Sequence, residues 1–268
     1  MSTSDDLASQ VRNTLKTKAL GHPLRSYPSI DSTNTYARKW AEDGASHGST
    51  VSADYQTAGK GRLGRQWDAE AGSNLMFSFV LRPERRSNLT LVSLVVALGV
   101  SDALQDQFGA TVGKIKWPND VLCGGRKVCG LLLERLERAG DTVAVIAGVG
   151  LNANQQHFPD AIRRKATSLM IATGRPVDRA ALFSSLLLNI ERRYDQWEAK
   201  EDDAIIETVN SRLAHRGTPV QLTHTHEAQE ISGTALGIDT SGGLRLNTAS
   251  GERIVYAGDV TSQPAVSS

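Results

Sequence analysis

Residues 89–107, LTLVSLVVALGVSDALQDQ, place apolar side chains round most of a helical circumference, and a helix of that kind has to be enclosed rather than laid on a surface. The chain therefore needs a layered fold with enough other structure to cover it. Asn88 is the expected N-cap of this helix. Strands are available to do the covering. Leu75 to Leu81 is a short apolar run, Lys127 to Leu136 and Thr142 to Leu151 read as long strands linked through Ala139-Gly140-Asp141, and Ile115 to Trp117 reads as a short one. The alternation of Val51, Ala53 and Tyr55 predicts a further strand that delivers Gln56 to the start of a glycine-rich loop.

Ser32 is placed to cap a helix carrying Tyr36, Ala37, Trp40 and Ala41 and ending near Gly44. Asp178 opens another, whose stripe of Leu182, Phe183, Leu186, Leu187, Ile190, Tyr194 and Trp197 belongs to a core. After a helix near 204–213 the composition changes to short strands and glycine turns: Pro219 to Leu222, Glu230 to Leu236, Gly243 to Leu246 and Arg253 to Tyr256. This predicts a small β-barrel beginning close to Gly217. The expected division is a lead-in over 1–25, a large domain over 26–215, the small domain over 216–262 and a tail over 263–268.

The 268 residues, 40% of them apolar, suffice for two such units. A net charge of +1 supplies no global field for nucleic acid or membrane, no apolar run reaches spanning length, and the polar N-terminus lacks a signal-peptide core. A cytoplasmic protein is expected. Two cysteines, Cys123 and Cys129, are too few for a disulfide scaffold, and His224 with His226 lacks partners for a metal set, so no structural metal is expected.

Gly59-Lys60-Gly61-Arg62-Leu63-Gly64-Arg65 sets three cations on a loop that can close over an anion. The spacing satisfies GxGxxG, but a dinucleotide loop opens a helix, whereas this one leads to the strand run at Leu75. A P-loop fails too, because Tyr55 and Gly61 stand where glycine and Ser or Thr are required around Lys60. A solvated surface loop is the plain alternative.

Further along come Lys116-Trp117-Pro118-Asn119-Asp120, the turn Cys123-Gly124-Gly125-Arg126 leading to Lys127 and Gly130, and Gly148-Val149-Gly150-Leu151-Asn152. With Asp31-Ser32-Thr33-Asn34, Gln56 and the loop, these motifs resemble the biotin protein ligases, in order, from about Pro28 to Val260. The resemblance implies an α/β (α+β) fold: a catalytic domain like that of class II aminoacyl-tRNA synthetases, with a mixed sheet backed by helices, and an SH3-like C-terminal β-barrel. Some members add an N-terminal winged helix that represses transcription. The stretch ahead of Ser32 is too short for one, so a form without DNA binding is expected.

The implied reaction joins biotin and MgATP as biotinyl-AMP, then transfers biotin to a lysine of the biotin carboxyl carrier domain of an acyl-CoA carboxylase, such as acetyl-CoA carboxylase. Lys127, Arg62 and Asp120 are the catalytic candidates, Asp120 as base or as orienting group for the incoming amine. The biotin set is Ser32, Thr33, Asn34, Gln56, Gly59, Lys60, Arg62, Lys127, Gly130 and Gly148. The ATP set is Arg62, Arg65, Trp67, Asn119, Lys127 and Asn152, with Mg2+ arriving on the nucleotide and no metal held by the protein. Lys60 departs from the arginine common there and loses bidentate geometry. No membrane partner is expected, and monomer and homodimer both remain open.

Two rivals stand beside this reading, a lipoate or octanoate transferase or ligase of the same superfamily and a biotin sensor or scaffold without catalysis. Cys123 and Cys129 flank the turn that mounts Lys127, which suggests oxidative control of the lysine's position.

Overall fold

The computed structural model of the chain describes residues 3–85, 87–223 and 230–262. Its larger part contains α1 (Thr3–Thr14), β1 (Leu24–Ile30), α2 (Thr33–Glu42), β2 (Thr50–Gln56), β3 (Leu75–Leu81), α3 (Val92–Phe108), β4 (Val112–Lys116), β5 (Asp120–Cys123), β6 (Arg126–Arg138), β7 (Asp141–Leu151), α4 (Leu169–Thr173), α5 (Arg179–Glu198) and α6 (Asp202–Arg212). The smaller part contains β8 (Pro219–Thr223), β9 (Glu230–Ile238), β10 (Leu244–Thr248), β11 (Gly251–Val255) and β12 (Asp259–Ser262). His224, His226 and the tail expected over 263–268 lie outside the described residues.

Seven of the described strands form one sheet in the order β1-β2-β3-β7-β6-β5-β4. Only β1 and β2 run parallel, so the sheet is mixed. The period-2 rule divides its two faces cleanly. Leu75, Phe77, Phe79 and Leu81 of β3 join Leu131 of β6 and Val145, Ala147, Val149 and Leu151 of β7 in the core against α3 and α5. On the opposite face Val80, Ala144 and Ile146 pack under Ala37 and Ala41 of α2. Beyond the end of α2 that second face is free to hold a site.

The apolar helix is enclosed as its pattern requires: α3 packs on α5, β4, β5 and β6. Residues 89–108 are long and apolar enough to cross a bilayer by composition alone, which the sequence reading did not expect, but two thirds of the segment is buried within this fold. Asn88 does not cap it. That residue has left-handed φ, residues Leu89–Leu91 form a 3-10 turn, and the Asn88 amide donates to Asp202 at 2.8 Å instead. Asp178, by contrast, caps α5 through the Ala180 and Ala181 amides, and the whole apolar stripe of α5 is buried.

Residues 1–25 include α1, which packs on β1 and α5. The chain that follows α1 is fixed by the buried Glu191 carboxylate, which accepts the backbone N–H groups of Lys18, Ala19 and Leu20 at 2.7, 2.7 and 2.9 Å. The smaller part is an antiparallel sheet in the order β11-β10-β9-β8-β12, and its apolar residues continue the core of the larger part. Strand β12 was not foreseen, being only four residues long. The Trp117 indole donates to Gly242 at 3.0 Å and ties the two parts together.

Where α3 crosses α5, a Cβ on Gly99 would lie 2.5 Å from Ile190 Cα and 2.8 Å from its nitrogen. Alanine is the better helix former, yet here it would force two backbones apart. Gly99→Ala is expected to lower unfolding stability by about 1–3 kcal/mol, read as a lower urea midpoint at constant slope.

Candidate active site

Cross-strand register lays out the site in rows. Met76 of β3, Gly150 of β7 and Gly130 of β6 are paired neighbours, and so in the next row are Ser78, Gly148 and Leu132. Three of these six positions lack a side chain, which leaves a trough on the sheet next to the N-terminus of α2. A cavity of about 50 Å³ remains in it, with Ser32, Thr33, Asn34, Gln56, Lys60, Arg62, Trp67, Asn119, Lys127, Gly130 and Gly148 of the predicted set around it. Gly61, Leu131, Leu132, Val149 and Gly150 complete the lining.

Each glycine is matched to the group that uses its space. A Cβ at Gly148 would lie 2.0 Å from Asn34 Oδ1, one at Gly150 would lie 2.6 Å from the Trp67 ring, and one at Gly130 would lie 2.7 Å from Lys127 Nζ. Gly148 therefore makes room for Asn34. The indole of Trp67 lies across Gly130 and Gly150, 5.5 Å beneath the Lys127 ammonium, with its buried Nε1 making no hydrogen bond among the described residues.

Ser32 occupies the N-cap position of α2 but makes no capping hydrogen bond. Thr33 donates its backbone N–H to Gln56 Oε1 at 2.7 Å. Gln56 Nε2 donates to Met76 Sδ at 3.4 Å, and the Asn34 amide donates to Leu132 O at 3.2 Å and to Glu134 at 2.8 Å. The result is a wall of hydroxyl and amide groups over an apolar floor, suited to a small neutral heterocycle with both donors and acceptors.

The loop itself is a closed hairpin: Gly61 N donates to Arg65 O at 2.7 Å and Trp67 N to Gly59 O at 3.0 Å. Gly59 permits this, since a Cβ there would meet the Trp67 carbonyl at 2.4 Å. Leu63 and Gly64 hold positive φ at its tip. Arg62 reaches inward and donates to Asn119 Oδ1 at 2.9 Å, and Asn119 Nδ2 donates to Leu131 O at 2.6 Å. On the outer side, Gly59 and Arg65 line an open bay of about 610 Å³ whose fixed wall is Leu132 and Glu134.

Opposite the loop, Lys127 Nζ lies 2.6 Å from Asp120 Oδ1, a charge contact made off the hydrogen-bonding direction. The lysine's backbone is clamped on both sides, its N–H to Lys165 O at 2.8 Å and its carbonyl accepting from Thr167 at 2.9 Å. Asn152 stands apart from the cavity lining. It is buried, and its amide donates to Thr167 O at 3.1 Å, bracing the segment that clamps Lys127.

Comparison with known proteins fits this geometry. The family model described as the Biotin/lipoate A/B protein ligase family matches residues 26–152, and that of the biotin protein ligase C terminal domain matches 215–261. The chain is 36% identical to the biotin--[acetyl-CoA-carboxylase] ligase of Paracoccus denitrificans over 239 residues, 86% of this chain and 96% of the relative. It belongs to the biotin protein ligase family.

The bifunctional ligase/repressor BirA of Bacillus subtilis is 34% identical over 94% of this chain and 78% of that protein. Among solved structures, the biotin protein ligase from Aquifex aeolicus in complex with biotin and ATP superimposes with a TM-score of 0.80 at 30% identity, covering 93% of this chain and all of the other. Against that family frame one residue stands out that motif reading missed. Asp259, at the start of β12, forms ion pairs with Arg65 and, at 3.7 Å, with Arg62, so a carboxylate of the small domain holds the cationic loop. A lone aspartate in a short strand carries no sequence signal of this. Ser78, Met76 and Glu134 were missed likewise, although a serine inside LMFSFVL is itself an anomaly.

The suggested oxidative control is corrected. Cys123 and Cys129 are both buried, and burial pushes both thiols above the ordinary range, Cys129 furthest. Neither supplies a thiolate near neutrality. A disulfide reagent at pH 8 is expected to find no fast-reacting thiol in the native protein and both after denaturation.

Proposed function

We propose that this protein activates biotin with MgATP to biotinyl-AMP and transfers biotin to a lysine of a biotin carboxyl carrier domain of an acetyl-CoA carboxylase, in the cytoplasm. The observation that carries the reading is one cavity bounded at one end by a hydroxyl and amide wall and at the other by Lys127 and Arg62.

The first step brings two anions together. A biotin carboxylate oxygen attacks the α-phosphorus and pyrophosphate leaves. At 4 Å the approaching charges repel by about 4 kcal/mol in a partly screened site unless cations intervene. Lys127, held by its clamped backbone on β6, sits where an ammonium can serve both anions, and Arg62 supplies a second charge from the loop. Closure of the loop keeps water from the mixed anhydride.

In the second step the acceptor lysine, as a free amine, attacks the acyl carbon. AMP leaves, and the amine proton passes to a base. Asp120 is the carboxylate in reach of Lys127 and is assigned to orienting or deprotonating the amine. Lys60 and Arg65 lie on the loop and are assigned to the phosphates, which requires Arg65 to exchange its pairing with Asp259. Trp67 and Asn119 are assigned to the nucleotide side, and Asn152 to support. A lipoyl or octanoyl chain offers nothing for the polar wall to bind, which favours the ureido ring of biotin.

ATP–pyrophosphate exchange decides the matter. Exchange is expected with biotin and not with lipoate or octanoate, and Lys127→Ala is expected to reduce it by about 100-fold or more. Exchange with another acid alone would overturn the substrate, and exchange with none would return the reading to a sensor. Arg62→Gly is expected to keep adenylation but release free biotinyl-AMP, seen as biotin labelling of a bystander protein above the wild-type level.

A further inference from the structure

Asp259 meets the cationic loop from the small domain, and each oxygen of its carboxylate faces a different guanidinium: Oδ2 pairs with Arg65, and Oδ1 lies 3.7 Å from Arg62. Two anionic oxygens shared between two arginines are also what one end of a phosphate chain offers to a loop of this kind. The carboxylate is the fixed partner. It opens β12, whose Val260 is buried and whose residues pair with β8 from Asp259 opposite Thr223 to Ser262 opposite Val220. Gly258, just before it, lies so close to β8 that a Cβ there would come within 2.9 Å of Leu222 Cδ2 and of Thr223 O.

The arginines are the movable partners. The Arg65 side chain is 65% exposed, against 33% for Asp259 and 23% for Arg62. Arg62 has a second hold in its 2.9 Å bond to Asn119 Oδ1, and the hairpin closes on itself through Gly61 N to Arg65 O and Trp67 N to Gly59 O. The loop therefore has the means to keep its shape without Asp259, and what the aspartate sets is the availability of the two guanidinium groups. An anion that takes Arg65 has to displace a carboxylate already seated there. A carboxylate mounted beside the loop takes Arg65 back when that anion leaves.

We propose that Asp259 is a positioning residue that competes with the β- and γ-phosphates for Arg65 and Arg62: it drives pyrophosphate off the loop after adenylation and re-seats the loop over the acyl-adenylate. This rests on the adenylating reaction above and adds to it the group that speeds departure of the first product. The same competition weakens binding of the triphosphate, so looser nucleotide binding accompanies faster product release.

The test is calorimetric binding of magnesium pyrophosphate, with no biotin present, to wild type, Asp259→Asn, Asp259→Glu, Arg65→Ala and the double variant Arg65→Ala with Asp259→Asn. Asparagine keeps the size and loses the charge, so Asp259→Asn is expected to bind pyrophosphate about fivefold more tightly, the upper range for a part-exposed ion pair. Asp259→Glu, which keeps the charge, is expected to stay near wild type. In the Arg65→Ala background the gain from Asp259→Asn is expected to shrink, because the main partner of the carboxylate is gone. In a single turnover with biotin, Asp259→Asn is expected to slow pyrophosphate release while biotinyl-AMP forms at the wild-type rate, a split that a merely loosened small domain does not produce. Equal or weaker pyrophosphate binding by Asp259→Asn, or a gain undiminished in Arg65→Ala, would overturn the proposal. The binding arm uses no biotin, so a failure of biotin to support exchange sinks the substrate reading and leaves the pyrophosphate result to decide the role of Asp259.

Discussion

Glycine at 130, 148 and 150 sets a depth limit on one face of the main sheet, and the groups of the site are fitted into the space those positions leave open. The Asn34 amide fills the vacancy at Gly148, the Trp67 indole covers those at Gly130 and Gly150, and the Lys127 ammonium shares the one at Gly130. A single added methyl at any of them meets a neighbour closer than van der Waals contact allows. The trough is therefore a property of backbone spacing between β3, β7 and β6, and it brings the polar wall of α2 together with Lys60 and Arg62 of the loop around one small volume.

Charge balance organises the other half of the site. Lys127 pairs with Asp120, while Arg62 and Arg65 pair with Asp259 from the small domain. These cations are thus compensated inside the protein, and an incoming anion would have to displace a carboxylate rather than meet free charge. Such exchange lowers the cost of holding several cations close together and ties the position of the loop to that of the C-terminal sheet. The small domain thereby acts on the site through one aspartate.

Much of the architecture was legible because it follows from periodicity and composition. The enclosed helix, the long paired strands, the apolar stripe from Leu182 to Trp197 and the strand-rich C-terminal part are all imposed by where apolar side chains fall. The caps were read less well. Asn88 and Ser32 have the right chemistry for capping, but Asn88 is claimed by Asp202 and the Ser32 hydroxyl is left for the cavity, and no local propensity encodes that competition. The cysteines were misread for the same reason: their reactivity depends on burial, which is set by packing and not by spacing.

The sequence by itself determined which residue types are available: a cationic glycine loop, a lysine after a tight turn, amides and hydroxyls in separated motifs, and an apolar pattern sufficient for two packed sheets. Tertiary structure alone decided which of them meet. Gln56 reaches Thr33 across 23 positions, Ser78 reaches Asn34 across 44, and Asp259 reaches Arg65 across 194. Hydrogen bonds and ion pairs act over a few ångströms in space and are indifferent to separation along the chain, so residues with no recognisable motif, Ser78 and Asp259 above all, take their place in the site only when the sheet register and the docking of the small domain bring them there.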